Sequence, residues 1–247
     1  LSLASEGSCQ IGGNLATNAG GLNVIKYGNV RDLCLGLEAV LPCGQIVSTM
    51  KPLKKNNMGF DLKNLLIGSE GTLGVITSTI LKTFPIPKNP ISIFLSINNL
   101  EDVLFVFEKI STEFDERILA FELVKMTGID FIEETGFTIK NPFNKKTNWK
   151  VLIEIDVSVG SINLREIIEN KFYDLLIENK IVEVFFATNI DQRNEFWKIR
   201  ELIPAANRKK GSICSNDISV PIEKIPEFIK KLDNSIYLFS KDVLINC

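Results

Sequence analysis

Alternating hydrophobic and polar positions give the clearest structural signal in the chain. Apolar side chains occupy every second position over residues 91–97 and again over residues 151–157, the spacing that places them on one face of a β-strand. Two shorter runs rich in β-branched and aromatic residues, at 118–124 and 181–186, have the composition of strands. We therefore expect strands in all four places.

Between and after these strands, apolar residues recur every three or four positions, as they do on the buried face of an amphipathic helix. This spacing holds for residues 100–107, 164–176 and 196–206. The succession of strands and helices predicts an α+β fold, a sheet with helices layered on one of its faces. The polar stretch from Lys140 to Lys150 interrupts the pattern and is interpreted as a solvated loop.

The pattern is less regular before residue 85. Residues 30–47 and 65–83 contain short apolar and β-branched runs separated by loops, which predict short strands. Three prolines then fall within residues 85–90, where they are incompatible with a central strand or a helix interior. We therefore expect two domains, residues 1–84 and residues 85–247.

Two glycine-rich segments stand out in the first of these domains. Residues 12–21 hold four glycines and two asparagines, and residues 68–77 hold three more glycines and run into a strand that begins near Leu73. We expect the first segment to be a long irregular loop whose N–H groups can cradle an anion. Neither segment matches the Walker loop, which needs Gly-Lys-Ser or Gly-Lys-Thr, or the glycine spacing of a dinucleotide-binding turn.

Composition excludes several classes of protein. The 247 residues are 45% hydrophobic and 23% charged with a net charge of -2, so we expect no nucleic-acid surface and no membrane-spanning segment. The five cysteines are odd in number and form no Cys-x-x-Cys pair, which favours small buried thiols over a disulfide framework or a zinc site. The chain has no histidine, so it holds no histidine proton relay and no histidine metal site.

The glycine-rich segments and their neighbours resemble a known family. Their order and spacing are similar to those of the FAD-binding domain of FAD-linked oxidases, and within that family to the branch containing D-2-hydroxyglutarate dehydrogenase, D-lactate dehydrogenase and the FAD subunit of glycolate oxidase. The resemblance covers about the first third of the chain. It is carried by Gly12 to Gly21, Tyr27-Gly28, Gly36 to Leu41, Gly59 to Leu62 and Ile67 to Thr77.

The resemblance implies a fold, a cofactor and a reaction. The fold would be the C-terminal part of a PCMH-type FAD-binding domain, followed by a ferredoxin-like α+β substrate domain. FAD would accept hydride at N5 from a D-2-hydroxy acid of the D-2-hydroxyglutarate, D-lactate or glycolate type, which becomes the 2-oxo acid. The electron acceptor is left open, a homodimer is one option, and the expected location is cytoplasmic or peripheral to a membrane.

The same resemblance assigns residues to the cofactor. Residues 12–21 would follow the pyrophosphate and the isoalloxazine ring, and residues 70–76 would hold the ribose and adenine side. The predicted FAD-binding residues are Gly12, Gly13, Asn14, Thr17, Asn18, Gly20, Gly21, Tyr27, Gly28, Glu70, Gly74, Val75 and Ile76.

Several of these side chains have chemistry that suits a flavin. The amides of Asn14 and Asn18 can donate hydrogen bonds to phosphate and flavin oxygens without adding charge. Tyr27 can cover the cofactor with its ring while its hydroxyl meets water or phosphate. Glu38 and Glu70 lie among apolar residues, and we expect both to be buried with partners.

Arg200 is the predicted substrate-binding residue. It lies on the flank of the helix predicted over residues 196–206, where its planar guanidinium can bind a carboxylate through two hydrogen bonds, the role of an arginine at this place in the resembling family. On spacing alone, a solvated surface arginine is the alternative. Two departures from the family lie nearby: Ser215 stands where relatives have a substrate-binding lysine, and Pro204 is expected to kink the helix at Arg200.

The resemblance also leads us to expect an internal or truncated fragment. Family members have a further glycine-rich loop upstream and a metal-binding histidine segment downstream, and neither matches this sequence. Alternatives to an active dehydrogenase therefore stay open: an inactive remnant, a flavin-binding fragment that needs another chain, or a relative acting on alditols or aryl alcohols. No residue is assigned as catalytic or as a metal ligand.

Overall fold

A computed structural model describes residues 2–158 and 163–247, which form two compact units, Leu1–Ile86 and Pro87–Cys247. The first unit contains short helices around a three-stranded antiparallel sheet of order β2-β1-β3. Its elements are α1 (Ile11–Ala16), α2 (Val24–Tyr27), α3 (Val30–Leu33), β1 (Cys34–Val40), β2 (Ile46–Ser48), α4 (Leu62–Leu66) and β3 (Val75–Leu81).

β1 is the centre of the first unit because it pairs with a strand on each side. Its residues Leu37 and Ala39 are buried in one cluster with Leu15 of α1 and with Leu66 and Ile67 at the end of α4. Full burial of an aliphatic side chain of this size contributes about 1.5–3 kcal/mol. The core therefore fixes α1 and the end of α4, next to the two glycine-rich segments, on one small sheet.

Two expectations for the first unit need correction. Residues 12–21 do not form one irregular loop, because α1 occupies Ile11–Ala16, and the expected strand regions begin with helical residues at 30–33 and 65–66. α3 is held by a capping box, in which the Asn29 N–H donates to Asp32 Oδ2 at 2.8 Å. Helices of four to six residues are too short to produce a recognisable 3.6-residue pattern.

The second unit is built on a four-stranded antiparallel sheet of order β5-β6-β4-β7. With α5 and α7 as the crossover helices, this order is that of a ferredoxin-like fold, and the predicted α+β class is confirmed. Its elements are β4 (Pro90–Ile97), α5 (Leu100–Phe114), β5 (Ile118–Lys125), α6 (Met126–Glu134), β6 (Trp149–Asp156), α7 (Leu164–Ile177), β7 (Glu183–Phe186), α8 (Ile190–Lys210) and α9 (Ile225–Phe239).

One face of this sheet carries the main core of the second unit. Ile93 and Leu95 of β4 and Ile153 of β6 are fully buried there, in one cluster with Ile110 of α5 and Phe172 of α7. These side chains come from alternate strand positions and from one stripe of each helix, the periodicities on which the sequence prediction rests. The predicted strands and helices of this unit are therefore confirmed.

α8 covers the opposite face of the sheet, so the expectation that helices lie on one face only is wrong. Phe94 points away from Ile93 and Leu95, and its ring centre lies 5.5 Å from that of Phe196 in α8. The ring of Phe143 packs on the same side, 4.7 Å from Phe94. Because β4 is apolar on both faces at its centre, each face needs a covering layer.

The expectation of a solvated loop from Lys140 to Lys150 is wrong at the C-terminal end of that stretch. Lys150 lies in β6 and is fully buried. Its ammonium group donates a hydrogen bond to Thr147 Oγ1 at 2.5 Å and lies 4.4 Å from the centre of the Phe143 ring. Burial lowers the pKa of Lys150, an effect that the carboxylate of Glu183 partly opposes.

We expect Lys150→Met to change how stability depends on pH. Because the pKa of Lys150 is lowered on folding, the unfolded chain holds more protons between the two pKa values, and wild-type stability rises with pH up to the unfolded value of about 10.5. The uncharged methionine removes this rise without a large change in volume. Urea unfolding at neutral and alkaline pH, with the exposed Lys140→Met as control, measures the difference. An unchanged rise in Lys150→Met would contradict the prediction.

The cysteines fit the expectation of buried thiols at one position only. Cys34 in β1 is buried, and all five cysteines are free. The exposed ones are Cys9, Cys43, Cys214 and Cys247. The expectation fails at these four because they lie outside the helices and strands, where the chain runs over the surface.

Candidate functional site

The two glycine-rich segments lie side by side in the first unit. The Gly68 N–H donates to the Leu15 carbonyl at 3.0 Å, and the Glu70 N–H donates to the Ala16 carbonyl at 2.9 Å. Both carbonyls belong to the last turn of α1, whose C=O groups lack partners within the helix. The structure thus brings the two predicted FAD-binding segments into direct contact.

Arg31 ties the same two segments together. Its Nη2 donates to the Ile67 carbonyl at 2.7 Å, and its N–H donates to Asn18 Oδ1 at 3.2 Å. Asn18 has a φ of 50°, a conformation that asparagine adopts more readily than most residues. The Asn18 side-chain oxygen already accepts this bond from Arg31, and the amide nitrogen is left to donate to a ligand. The sequence gives no signal for Arg31, since an isolated arginine belongs to no motif.

Asn14 and Thr17 make contacts within α1 and its entry. Asn14 is buried, and its amide nitrogen donates to Cys9 Sγ at 3.5 Å. Thr17 Oγ1 donates to the Gly13 carbonyl at 3.0 Å. These contacts give both side chains a role in holding the short helix, while their role toward a ligand stays a prediction.

Most of the predicted glycines are required by the fold itself. Gly28 has a φ of 76°, and a Cβ there would collide with the Asp32 carboxylate. A Cβ on Gly74 would lie 2.8 Å from the Val40 carbonyl oxygen. The other closely packed glycines are Gly20 and Gly21. Close packing therefore explains these positions without a ligand.

Gly13 and its neighbour Gly12 are the exceptions among these glycines. Gly13 is exposed in α1, and apart from its chain neighbours and the backbone of its own helix, no atom of the described residues lies within 4 Å of the position that its Cβ would occupy. Glycine inside a helix costs about 1 kcal/mol relative to alanine. The neighbouring Gly12 is also uncrowded, with the Ile76 carbonyl oxygen 3.6 Å from its Cβ position. This side of α1 can therefore accept the close approach of a ligand.

The other predicted residues of this unit differ in exposure. Tyr27 is half-buried, and its ring centre lies 4.6 Å from that of Phe84. Val75 is 67% exposed at the start of β3, whereas the adjacent Ile76 is half-buried. Tyr27 therefore has one face against the protein, and Val75 is accessible to a ligand.

The two carboxylates that were expected to be buried behave differently. Glu38 in β1 is half-buried and accepts a hydrogen bond from Thr77 Oγ1 at 2.8 Å. Glu70 is exposed, with a φ of 51°, so the expectation of burial is wrong for this residue. It lies in the turn before β3, where its backbone is held by α1 and its side chain faces solvent.

In the second unit, α8 presents three polar side chains to the sheet. Arg193, Trp197 and Arg200 lie on one side of the helix because they are four and three residues apart. Glu154 of β6 accepts hydrogen bonds from Arg193 Nε at 2.6 Å and from Trp197 Nε1 at 2.7 Å. Glu122 of β5 accepts one from Arg200 Nε at 2.8 Å. Two carboxylates of the sheet thus hold one helix.

Arg193 and Arg200 differ in how many of their guanidinium N–H groups are already hydrogen-bonded to carboxylates. Arg193 makes a second bond to Glu154, from Nη2 at 3.1 Å, and Ser92 Oγ also donates to this buried carboxylate. Its hydrogen bonds with Glu154 raise the pKa of Arg193 and keep it charged. Within residues 2–158 and 163–247, Arg200 donates only through Nε, and its side chain is 32% exposed. Arg200 can therefore offer its two Nη groups to a further carboxylate.

Glu122 and Glu154 were not predicted from the sequence. Both occupy polar positions of strands, which an alternating pattern assigns to a solvent-facing surface. The available signal was a pair of arginines seven residues apart on one helix face. Recognising their partners requires knowledge of which sheet face α8 covers.

Pro204 lies inside α8, which runs over Ile190–Lys210, and the kink expected at Arg200 stays a prediction. Because proline has no N–H, the Arg200 carbonyl lacks its helical hydrogen bond. Ser215 lies in an exposed irregular segment after the helix. Arg200 therefore keeps its place on α8, and Ser215 is not brought to it by a helix or a strand.

Two family models match this chain. The model for FAD linked oxidases, C-terminal domain, matches residues 86–238, more than half of the chain, and the model for an FAD binding domain matches residues 1–50. This chain belongs to the FAD-linked oxidase family. The predicted family is confirmed, and the cofactor of the family is FAD.

The chain is similar to D-2-hydroxyglutarate dehydrogenases. The mitochondrial enzyme of Arabidopsis thaliana is 34% identical over 232 residues, 94% of this chain and 41% of the relative. The mitochondrial enzyme of Rattus norvegicus is 34% identical over 229 residues, 93% of this chain and 42% of the relative. The D-2-hydroxyglutarate–pyruvate transhydrogenase of Saccharomyces cerevisiae is 34% identical over 228 residues, 91% of this chain and 45% of the relative. The chain thus spans less than half the length of these relatives.

A solved structure supports the fold of this chain. Alkyldihydroxyacetonephosphate synthase aligns with a TM-score of 0.57 at 18% identity, over 85% of this chain and 38% of the synthase. At this identity the likeness concerns the fold alone. Among the described residues, no helix has the length and apolar character needed to cross a membrane.

The first unit fits the cofactor of the family. Gly12 and Gly13 present no side chain on α1 and have uncrowded Cβ positions, which permits the close approach of a flavin or a pyrophosphate. The Asn18 amide nitrogen and the exposed residue Val75 offer uncharged contacts in the same unit. FAD can therefore be held here largely by main-chain and amide groups.

Proposed function

We propose that this FAD-linked oxidase takes part in oxidising a D-2-hydroxy acid to the 2-oxo acid. A hydride leaves the α-carbon, the hydroxyl proton is released, and a C=O bond forms, while bound FAD supplies the acceptor for the electron pair. Residues 1–84 are assigned to the FAD-binding domain and residues 85–247 to the substrate domain. The observation that carries the proposal is the open Nη edge of Arg200.

Arg200 is proposed to bind the substrate carboxylate. A guanidinium that keeps two parallel N–H donors suits the two oxygens of a carboxylate, and such charge-assisted pairs are about twice as strong as neutral hydrogen bonds. Arg193 cannot take this role because Glu154 occupies its fork. The names of the relatives favour D-2-hydroxyglutarate, while D-lactate and glycolate present the same carboxylate.

The cofactor is proposed to lie against both glycine-rich segments. Gly12 and Gly13 would allow close approach, Asn18 would donate through its amide nitrogen, and Tyr27 would cover an apolar part of FAD. The remaining residues proposed to line it are Asn14, Thr17, Gly20, Gly21, Gly28, Glu70, Gly74, Val75 and Ile76. A homodimer and the cellular location stay predictions, and the electron acceptor stays open.

A second candidate is a flavin-binding fragment that works only with another polypeptide. The first unit exposes large apolar side chains, with Phe60 at 92%, Ile46 at 68% and Val75 at 67%. Apolar surface of this kind is commonly covered in a functional assembly. In this case the chain by itself would bind FAD weakly, and its substrate residues would act only in the complex.

Gly13→Leu should weaken FAD binding without lowering stability. A Cβ at Gly13 has open space around it and leucine is a better helix former than glycine, so the free energy of unfolding should stay equal or rise by about 0.5–1 kcal/mol. A flavin that approaches α1 closely would be blocked, and the Kd for FAD should rise at least about tenfold. Flavin fluorescence titration of the 247-residue chain measures this Kd.

The control is Gly211→Leu, because Gly211 also has open space around its Cβ position and lies in the second unit. Equal FAD affinity of the two variants would remove α1 from the proposed site. Anaerobic bleaching of the bound flavin by D-2-hydroxyglutarate, and not by its L enantiomer, tests the reaction. Wild-type chain that fails to retain FAD unless another polypeptide is added would favour the second candidate.

A further inference from the structure

The side chains that join α8 to the sheet form two groups, one buried and the other partly exposed to solvent. Glu154 is 3% exposed and is saturated by Ser92, Arg193 and Trp197, so that group is a structural anchor. Two helical turns farther along α8, Arg200 meets a carboxylate that is more accessible, with the Glu122 side chain 23% exposed. The second contact is therefore made where solvent and ligands can reach it.

The contact between Glu122 and Arg200 restricts how the guanidinium can turn. The group is planar, and its Nε–H and its two terminal nitrogens lie in one rigid plane. Because Glu122 Oε2 accepts from Nε at 2.8 Å, it restrains the guanidinium from the side of the β5 strand. The same bond leaves the edge formed by the two Nη groups free. A flexible arginine would lose conformational entropy on binding a carboxylate, whereas a fixed one has lost it already.

We propose that Glu122 is a positioning residue that orients Arg200 for a ligand carboxylate. The inference rests on the proposed role of Arg200 and extends it to a residue on a different element of the fold. In this arrangement one guanidinium binds two carboxylates, Glu122 through Nε and the ligand through its Nη edge. The Glu122 charge opposes the ligand charge, so its benefit to binding comes from orientation and not from net charge.

This arrangement predicts opposite results for two substitutions at one position. Glu122→Ala removes the acceptor and frees Arg200, so the Kd for a 2-oxo or 2-hydroxy acid should rise about tenfold. Glu122→Gln keeps an acceptor oxygen for Nε and removes the opposing charge, so its Kd should stay within about twofold of wild type or fall. A merely structural ion pair would change stability in both variants and the Kd in neither.

Isothermal titration of the 247-residue chain with 2-oxoglutarate and with D-lactate measures these constants. Glu201→Ala is the matched control, because Glu201 is the exposed neighbour of Arg200 on α8 and its removal changes the charge equally. Circular dichroism checks folding. If Glu122→Ala fails to fold, Glu122→Asp replaces it, since the shorter side chain withdraws the acceptor while keeping the charge, and it should also raise the Kd.

The outcomes separate this inference from the proposed function. Weak binding by Glu122→Ala with rescue by Glu122→Gln supports the positioning role. Equal Kd changes in both variants, or none in either, would overturn it even if Arg200→Ala abolishes binding. Wild-type affinity in Arg200→Ala, or no binding of either acid by the wild type, would contradict the proposed role of Arg200 and, with it, the positioning role of Glu122.

Discussion

Glu154→Leu should destabilise the second unit by about 3 kcal/mol, since it leaves the Arg193 guanidinium partly buried without its counter-ion. Trp197 Nε1 and Ser92 Oγ lose their acceptor in the same substitution. Urea unfolding followed by circular dichroism measures the loss. The effect should be among the largest of any polar substitution in the unit, because four donor groups of three side chains converge on one carboxylate.

Two further variants test the physical reason for that loss. Glu154→Leu combined with Arg193→Met removes both charges and should recover most of the stability, because a buried pair replaced by apolar groups costs far less than a buried charge left alone. Glu169→Leu is the control, since its ion pair with Arg165 is exposed and contributes less than about 1 kcal/mol. A double variant as unstable as the single one would show that packing, and not the unpaired charge, causes the loss.

Arg200→Leu should abolish most carboxylate binding while the second unit stays folded. Losing two charge-assisted hydrogen bonds to a ligand should raise the Kd for D-2-hydroxyglutarate roughly a hundredfold, and flavin reduction by this acid should slow accordingly. Titration calorimetry and anaerobic flavin bleaching measure the two effects. Arg200→Lys keeps the charge but loses the fork, so it should recover only part of the affinity.

Arg193→Leu provides the matched comparison on the same helix face. It should lower stability, because it leaves Glu154 short of a counter-ion, and should affect the Kd only through folding. If Arg200→Leu binds the acid as tightly as the wild type, Arg200 is a solvated surface arginine, the alternative that its spacing left open. If Arg193→Leu is the variant that loses binding while remaining stable, the assignment of the two arginines is reversed.

In the first unit, the sequence predicted the family correctly but not the local conformation of the chain. The glycine-rich pattern of residues 12–21 identified the family, yet its conformation was predicted as a loop, and half of it is the helix α1. The contact that joins this segment to Gly68 is a backbone hydrogen bond to Leu15. Such bonds do not depend on side-chain identity, so they cannot be predicted from residue type.

In the second unit, the sequence by itself determined the four strands, the helices α5, α7 and α8 and the α+β class, because burial on one face imposes a fixed period on apolar residues, whereas α6 and α9 were not predicted. It also singled out Arg200 through its resemblance to a family. Only the tertiary structure decided that α8 covers the second sheet face and that Glu154 and Glu122 are the partners of Arg193 and Arg200. Those partners are far apart in sequence, and a polar residue in an alternating strand looks the same whether its face meets water or a helix.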